Sequence, residues 1–585
     1  MNEVWNLDPI YPGFDAPEFR KDLEELKATV AAYTAWVRKL DSLDPLEGLK
    51  TGTDYLERLF AYGNKLVEYC MLRQAANTLD GEASSGASQV MGLLSTMAGP
   101  KAIFKDWAAK LPDLMELVAS DEVLKEYTFL YSNILSSSSF QLPGMGEEIM
   151  AKMELSGGSA WGDLQQFLTS TVPVQYRGEK TNLSAIRNLA YDPDPAVRND
   201  AYESELNCYE RISDSVAFAL NSIKLETLTD CELRGYESPL DRTLKEAHMS
   251  RATLDAMLGA MDEYLPKFWQ YLKAKGKALG HENGLPWYDL FAPMGAMAEK
   301  YTAEGAREYL VDLFSGFDQE LADMVARAFD NAWIDFYPRS GKSGGAFCSG
   351  VDCLHESRIL TNFEGQFGDV VTLAHELGHA FHNQCIDSHR VLNHDYSMPL
   401  AETASTFNEC VIMNAAIKAA KTDEEKLALI ESQLQDATQV ICDIYSRYRF
   451  ETMVFEKRKE EFLHSSALCD LMTQAQKLSY GDGLDEQVMH PFMWVCKSHY
   501  YGPTFYNFPY AFGALFARGL YAQYEREGAA FVPKYKKLLY TTAIATAEDT
   551  AKVADIDLTD RDFWRSALQM LADEIDLFCE LLEKK

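Results

Sequence analysis

Positive charge is scarce in this chain. Its 585 residues carry 55 Lys and Arg against 89 Asp and Glu, a formal net charge of −34. Such a surface repels phosphate backbones and anionic lipid, so neither nucleic acid nor a membrane surface is expected as a partner. Long apolar runs are also missing. No stretch reaches the roughly 18 residues needed to span a bilayer. Met1 to Arg20 holds acids and prolines without the apolar core of a secretory signal. Cysteine is sparse and odd in number, 11 residues scattered from Cys70 to Cys579. That usage fits buried thiols in a reducing cytoplasm better than a disulfide framework. The nearest pair, Cys348 and Cys353, is too little for a metal site by itself. No repeat or low-complexity tract is present, which disfavours a solenoid. What remains is an ordinary globular composition, 47% apolar and 25% charged, in a chain long enough for more than one domain.

β-Branched runs are few, and most of the chain reads helical. Apolar residues recur at three-to-four spacing near 15–40, 44–78, 103–136, 194–230, 250–280, 302–330, 425–463, 511–526 and 560–583. Asp194-Pro195 is a helix start, a capping acceptor followed by proline at the first helical position. Ser170–Gln175 and Arg358–Phe363 are the strand candidates. A boundary near residue 180 separates an N-terminal helical domain, 1–180, from a second domain, 181–585.

Histidine is scarce too, 11 in all, and three of them precede glutamate. His281-Glu282 and His355-Glu356 are followed at the fifth position by Leu285 and Ile359. Only His375-Glu376-Leu377-Gly378-His379 completes a zinc motif, a pattern that chance would supply roughly one or two times in a hundred. On a helix, His375 and His379 lie one above the other and can grip one zinc ion. Glu376 is one step round the helix, able to act as base on a water without being a ligand. A catalytic zinc takes a third protein ligand and keeps an open position. The metzincin spacing fails, since His382 and Cys385 stand where Gly and His are required. A helix start at Ser397-Met398-Pro399 leads instead to Glu402 and Glu409, two turns apart on one face beside alanines and Phe407. Carboxylates turned toward protein need a cation or donors. Glu402 is assigned as third ligand and Glu409 as the acceptor orienting a ligand histidine, with Glu409 the alternative third ligand.

Three further features bear on chemistry. His499, Tyr506 and Tyr510 are donors suited to an oxyanion, the tyrosines sharing a face if helical. Gly344-Gly345-Ala346-Phe347 suits close approach of an extended peptide backbone by strand addition to an exposed edge. Gly341-Lys342-Ser343 looks like the end of a phosphate loop, but Phe336 holds the upstream glycine position, so no nucleotide site is expected. His382 and His389 read as structural histidines.

The strings Leu373–His382 and Ala401–Glu409 together resemble the M3 metallopeptidases, in particular the oligoendopeptidase F group, relatives of thimet oligopeptidase. The resemblance extends to Tyr337–Cys348 and His499–Tyr510 and covers roughly residues 190–575. It implies a mainly α fold of two helical lobes flanking a deep substrate channel, with a small β element near the zinc. It implies one Zn2+ per chain on His375, His379 and Glu402, and Glu376 as general base. It also implies that His499 and the tyrosines face the metal, bind substrate and stabilise the transition state. This chain departs from thimet-type members in having Gly513 where a third tyrosine stands and in its His-to-Tyr spacing, leaving the roles of Tyr506 and Tyr510 undivided. The implied activity is a cytoplasmic zinc oligoendopeptidase cutting internal bonds of short peptides, its oligomeric state left open. The enzymatic rival is a helical zinc carboxypeptidase or dipeptidyl carboxypeptidase, holding a substrate carboxylate on Arg339 or Lys342. The rival of another class is a non-catalytic helical peptide-binding protein with a structural zinc, against which the intact Glu376 argues.

Overall fold

A computed structural model describes residues 3–295 and 300–584. The chain is mainly α-helical, and the helix signals of the sequence have visible causes. Asp44 caps Pro45–Ala76 by accepting from Glu47 N, and Asp194 caps Pro195–Tyr209 through Ala196 N. Ser213–Arg234 ends at Gly235, whose φ of +83° allows the left-handed cap. The region read as one helix near 103–136 is four, Ala98–Ala109, Leu114–Ser120, Glu122–Glu126 and Thr128–Ser137. Polar breaks such as Lys110 to Asp113 interrupt an otherwise continuous apolar pattern. Among the described residues, no helix is long and apolar enough to cross a membrane.

Strands are short. β1 (Val174–Tyr176) pairs antiparallel with β2 (Glu179–Thr181) around the Arg177-Gly178 turn. The helix before it, Gly158–Thr171, runs into the stretch expected to be extended. β3 (Ile334–Asp335), β4 (Phe347–Val351) and β5 (Glu356–Leu360) form a sheet of order β3-β5-β4. β4 is antiparallel to β5, Phe347 opposite Leu360 and Val351 opposite Glu356, whereas β3 is parallel to β5.

The chain divides into two compact units, each discontinuous in sequence. The first comprises Met1–Gly144, Ala298–Ile412 and Gln523–Ile556. Its core gathers Leu26, Tyr33, Leu66, Tyr69, Phe104 and Tyr127 with Val351 and Leu360 of the sheet. Phe347 and Val351 face that core. The other face of β4 meets the helix Phe367–Ile386, where Gly350 leaves room for the Asn383 amide. This helix starts with a reciprocal cap between Gln366 and Asp369 and buries Val370, Leu373, Ala374, Leu377 and Phe381.

The second unit comprises Met145–Met297, Met413–Ala522 and Asp557–Lys585, so residue 180 falls inside it, at the β1–β2 hairpin. Its core joins Val174, Leu220 and Ile223 to Phe450, Met472 and Trp494. Ion pairs are buried within it, among them Arg198–Asp289, Lys224–Glu451 and Lys275–Glu431.

On the helix Arg561–Glu583, burial raises Glu574 to about 7 against the pull of Arg518. Gln433 Nε2 donates to its Oε1 at 3.0 Å, while Oε2 is buried without a partner among the described residues. The folded pKa lies above the ordinary 4.5, so protonation favours the fold. That contribution is complete below about pH 4 and is lost as pH rises through about 7. Glu574→Gln should therefore raise the melting temperature at pH 8, by a gain on the order of 1–3 kcal/mol, and change little at pH 5. Melts of both proteins across this range check it; a pH-independent difference would contradict it.

Candidate metal centre

His375, Glu376 and His379 occupy the middle of the helix Phe367–Ile386. The two imidazole rings lie 4.9 Å apart and nearly perpendicular. Glu402 falls in the turn between the helices Met398–Ala401 and Thr403–Ala419, so it sits at a helix junction and not within one continuous helix. Its Oε2 is 3.4 Å from His375 Nε2 and 3.5 Å from His379 Nε2. Among the described residues, these three form the one His/Cys/Asp/Glu group whose ligand atoms all lie within 4.8 Å of one another. Zinc bonds of about 2.0–2.1 Å at tetrahedral angles require donor separations of about 3.3 Å. The donor set and its spacing fit a zinc ion.

The two imidazoles differ in their electrostatics. Burial lowers the His375 pKa, but Glu409, then Glu402 and Glu376, outweigh it and push it up to about 9. Glu409 Oε1 accepts from His375 Nδ1 at 2.7 Å, which turns Nε2 toward Glu402. Burial takes His379 down to about 4, leaving it neutral as a ligand must be. Glu376 is 5% exposed, and burial raises it to about 7, countered in part by His375. Three carboxylates around two imidazoles concentrate negative charge that a cation balances.

Hydrogen bonds within and between the two helical segments fix this geometry. Ser405 Oγ donates to Glu402 Oε2 at 2.7 Å, and Asn408 Nδ2 donates to Ala374 O at 3.0 Å. His382 and His389 are held structurally. His382 is buried and pushed down to about 3, with Nε2 2.8 Å from Thr542 Oγ1 and its ring stacked on Tyr396 at 4.0 Å. His389 Nε2 donates to Tyr540 O at 2.8 Å. Ser405, Asn408 and Tyr396 were not singled out from sequence. The one available signal was the polar Ser405 and Asn408 on a face otherwise filled by Ala404 and Phe407.

Gly344 and Gly345 form an exposed turn, Gly345 with φ +77°, leading into β4 at Phe347. Asn362 Nδ2 clamps it through Ser343 O at 3.0 Å and Gly345 O at 2.8 Å. β4 pairs with β5 on one side, and its other edge has no strand partner among the described residues. Lys342 is not free to hold a ligand. Its side chain is fully buried, donating to Asp335 Oδ1 at 2.7 Å and to the carbonyls of Asp335, Tyr337 and Thr361. Arg339 is bound to both Asp335 oxygens and to Ala76 O.

His499, Tyr506 and Tyr510 lie in the second unit and form a three-ring cluster, with centroids 5.8, 5.9 and 5.6 Å apart. They do not share one helix. His499 is in the turn Ser498–Tyr500, Tyr506 is in the loop that follows, and Tyr510 is in the first turn of Phe508–Glu527. Burial, helped by Arg447 and Lys497, takes His499 down to about 4 and keeps it neutral.

The whole metal constellation depends on close helix contact at Gly378. An added Cβ would lie 2.5 Å from Ala404 O and 2.6 Å from Ser405 Cα, backbone atoms with no freedom to swing aside. Gly378→Ala should push the helices apart, weaken metal retention about tenfold or more, and destabilise the protein by about 1–3 kcal/mol. Gly368→Ala, where nothing lies within 4 Å, is the control. Chelator competition and thermal melts read both effects, and equal behaviour of the two variants would refute the contact's importance.

Comparison with known proteins gives the family. The profile of peptidase family M3 matches residues 188–570. Oligopeptidase PepF of Bacillus subtilis (strain 168) is 23% identical, covering 100% of this chain and 88% of that protein. An oligoendopeptidase F homolog of Lactococcus lactis subsp. lactis (strain IL1403) is 23% identical, covering 99% of this chain and 97% of its own. The solved oligoendopeptidase-F of Enterococcus faecium shares the fold, with a TM-score of 0.74 at 18% identity, over 97% of this chain and 99% of that one. The chain belongs to peptidase family M3.

Proposed function

We propose that the protein is a zinc-dependent oligoendopeptidase that hydrolyses internal bonds of short, unstructured peptides. The observation that supports this best is the convergence of His375, His379 and Glu402 beside a buried Glu376 that belongs to the same helix but not to the ligand set. A structural zinc site has no use for such a base. His375, His379 and Glu402 would hold one zinc ion, which when bound supplies a Lewis acid that polarises the scissile carbonyl and acidifies a water. Glu409 orients His375 through Nδ1. Glu376 takes a proton from the attacking water and returns it to the leaving amine. By the family resemblance, His499 with Tyr506 or Tyr510 donates hydrogen bonds to the oxyanion. The free edge of β4, entered through Gly344 to Phe347, pairs with the peptide backbone, which favours extended substrates irrespective of side chain.

Internal cleavage is favoured over carboxypeptidase action because Lys342 and Arg339, the nearby cations considered for a terminal carboxylate, are both committed to Asp335. Mass spectrometry of a digested peptide library should show cuts counted from neither end. Reduced, unfolded casein should be cleaved more slowly per bond than a ten-residue peptide. Cuts at a fixed distance from the C terminus would establish the carboxypeptidase instead.

Ligand and base separate by mutation. Glu376→Gln should keep about one zinc per chain yet lose roughly 10²–10⁴-fold in kcat. His375→Ala, His379→Ala and Glu402→Gln should lose zinc as well as activity. Metal analysis alongside turnover decides the assignment, and full zinc occupancy with normal turnover in Glu402→Gln would move the third ligand to Glu409.

A further inference from the structure

Tyr506 stands at the crest of a turn clamped on both sides. Phe505 has φ +52°, in the left-handed region, where a bulky residue stays only if its surroundings over-determine it. Its buried ring packs 5.6 Å from both Tyr448 and Phe455. Asn507 is buried as well; its N donates to Phe505 O at 2.7 Å and its O accepts from Tyr510 N at 3.1 Å. Asn507 Oδ1 accepts from Phe508 N at 2.6 Å, at the start of the helix that carries Tyr510. Between the inward Phe505 and Asn507, Tyr506 is left only half-buried.

Both clamps end on one carboxylate. Glu451 Oε1 accepts from Phe505 N at 3.1 Å, and Oε2 accepts from Asn507 Nδ2 at 2.8 Å. Lys224 Nζ donates to Oε1 at 2.7 Å and lies 4.9 Å from the Phe455 ring. Lys224 and Glu451 are 1% and 0% exposed. A buried ion pair is no efficient source of stability, since desolvation offsets its attraction and an apolar pair would pack there as well. What an apolar pair cannot do is accept two hydrogen bonds from a strained turn.

We propose that Glu451, neutralised by Lys224, is a positioning residue that holds Phe505 and Asn507 inward, so that Tyr506 projects from the turn and Tyr510 starts its helix in register. This rests on the reading of Tyr506 and Tyr510 as substrate-facing donors.

The test removes both charges together, Lys224→Met with Glu451→Leu, so that neither is left buried alone. Asn507→Ala is the milder probe and carries the same readouts if the double variant does not fold. In the full-length, zinc-loaded protein, zinc content should stay at wild type. Amide hydrogen exchange across 504–508 should rise about tenfold or more while 213–223 stays protected. The kcat on a quenched peptide should fall about ten- to a hundredfold with KM within about twofold. Adding Tyr506→Phe to the double variant should cost far less than it does in the wild type, because the tyrosine is already misplaced. Unchanged exchange across 504–508 overturns the proposal, and so do fully additive losses, which would mark the pair as merely structural. If Tyr506→Phe and Tyr510→Phe each left wild-type kcat intact, the substrate-facing reading would fail instead. The exchange result would still decide whether Glu451 positions the turn.

Discussion

The chemistry of this protein depends on how near two helix backbones come at Gly378. The helix with His375 and His379 touches the segment Ala404–Ser405 with no side chain between. Only at that distance does Glu402 Oε2 come within 3.5 Å of both imidazole nitrogens. The cross-links that hold the contact are polar and short. Asn408 reaches Ala374 O and Glu409 reaches His375 across the contact, while Ser405 holds Glu402 within its own segment. Each fixes a group that would otherwise rotate, which is how a ligand set reaches its geometry before the metal arrives.

Charge is handled in contrasting ways in the two compact units. Around His375 and His379, acids accumulate with few cations, leaving an imbalance that a divalent ion removes. In the second unit, several buried acids have a buried cation beside them, as in Arg198–Asp289, Lys224–Glu451 and Lys275–Glu431. Such pairs add little net stability, yet they select one arrangement among several of equal packing quality. The net charge of −34 is therefore a surface property and says nothing of how the interior is balanced.

Sequence reasoning reached the residues whose spacing is local. His375, Glu376 and His379 are set by helical period, and Glu402 and Glu409 follow a visible helix start. The mainly α character and the long helices Pro45–Ala76, Arg251–Ala278 and Arg561–Glu583 were legible for the same reason. The turn at Glu402 and the end of the helix at Thr171 were not, because tertiary packing overrides a continuous apolar pattern, and the breaks between 110 and 128 fall at polar or proline-bearing stretches too short to stand out within it. β3 is too short, at two residues, to show a period, and β4 carries Ser349 and Gly350 where a strand signal needs β-branched residues. Glu451 was invisible for another reason. Its partners Lys224 and Phe505 stand 227 and 54 residues away, and no local rule pairs them.

The glycine turn ahead of β4 has a thermodynamic consequence. Lys342 draws together Asp335, Tyr337 and Thr361, and Asn362 fastens Ser343 and Gly345. The turn is thus ordered during folding, so in the strand addition proposed above its conformational entropy is already spent before a peptide binds. An incoming chain has only its own freedom to surrender, so short ligands gain most from such an edge, and each added residue that finds no pocket dilutes the advantage.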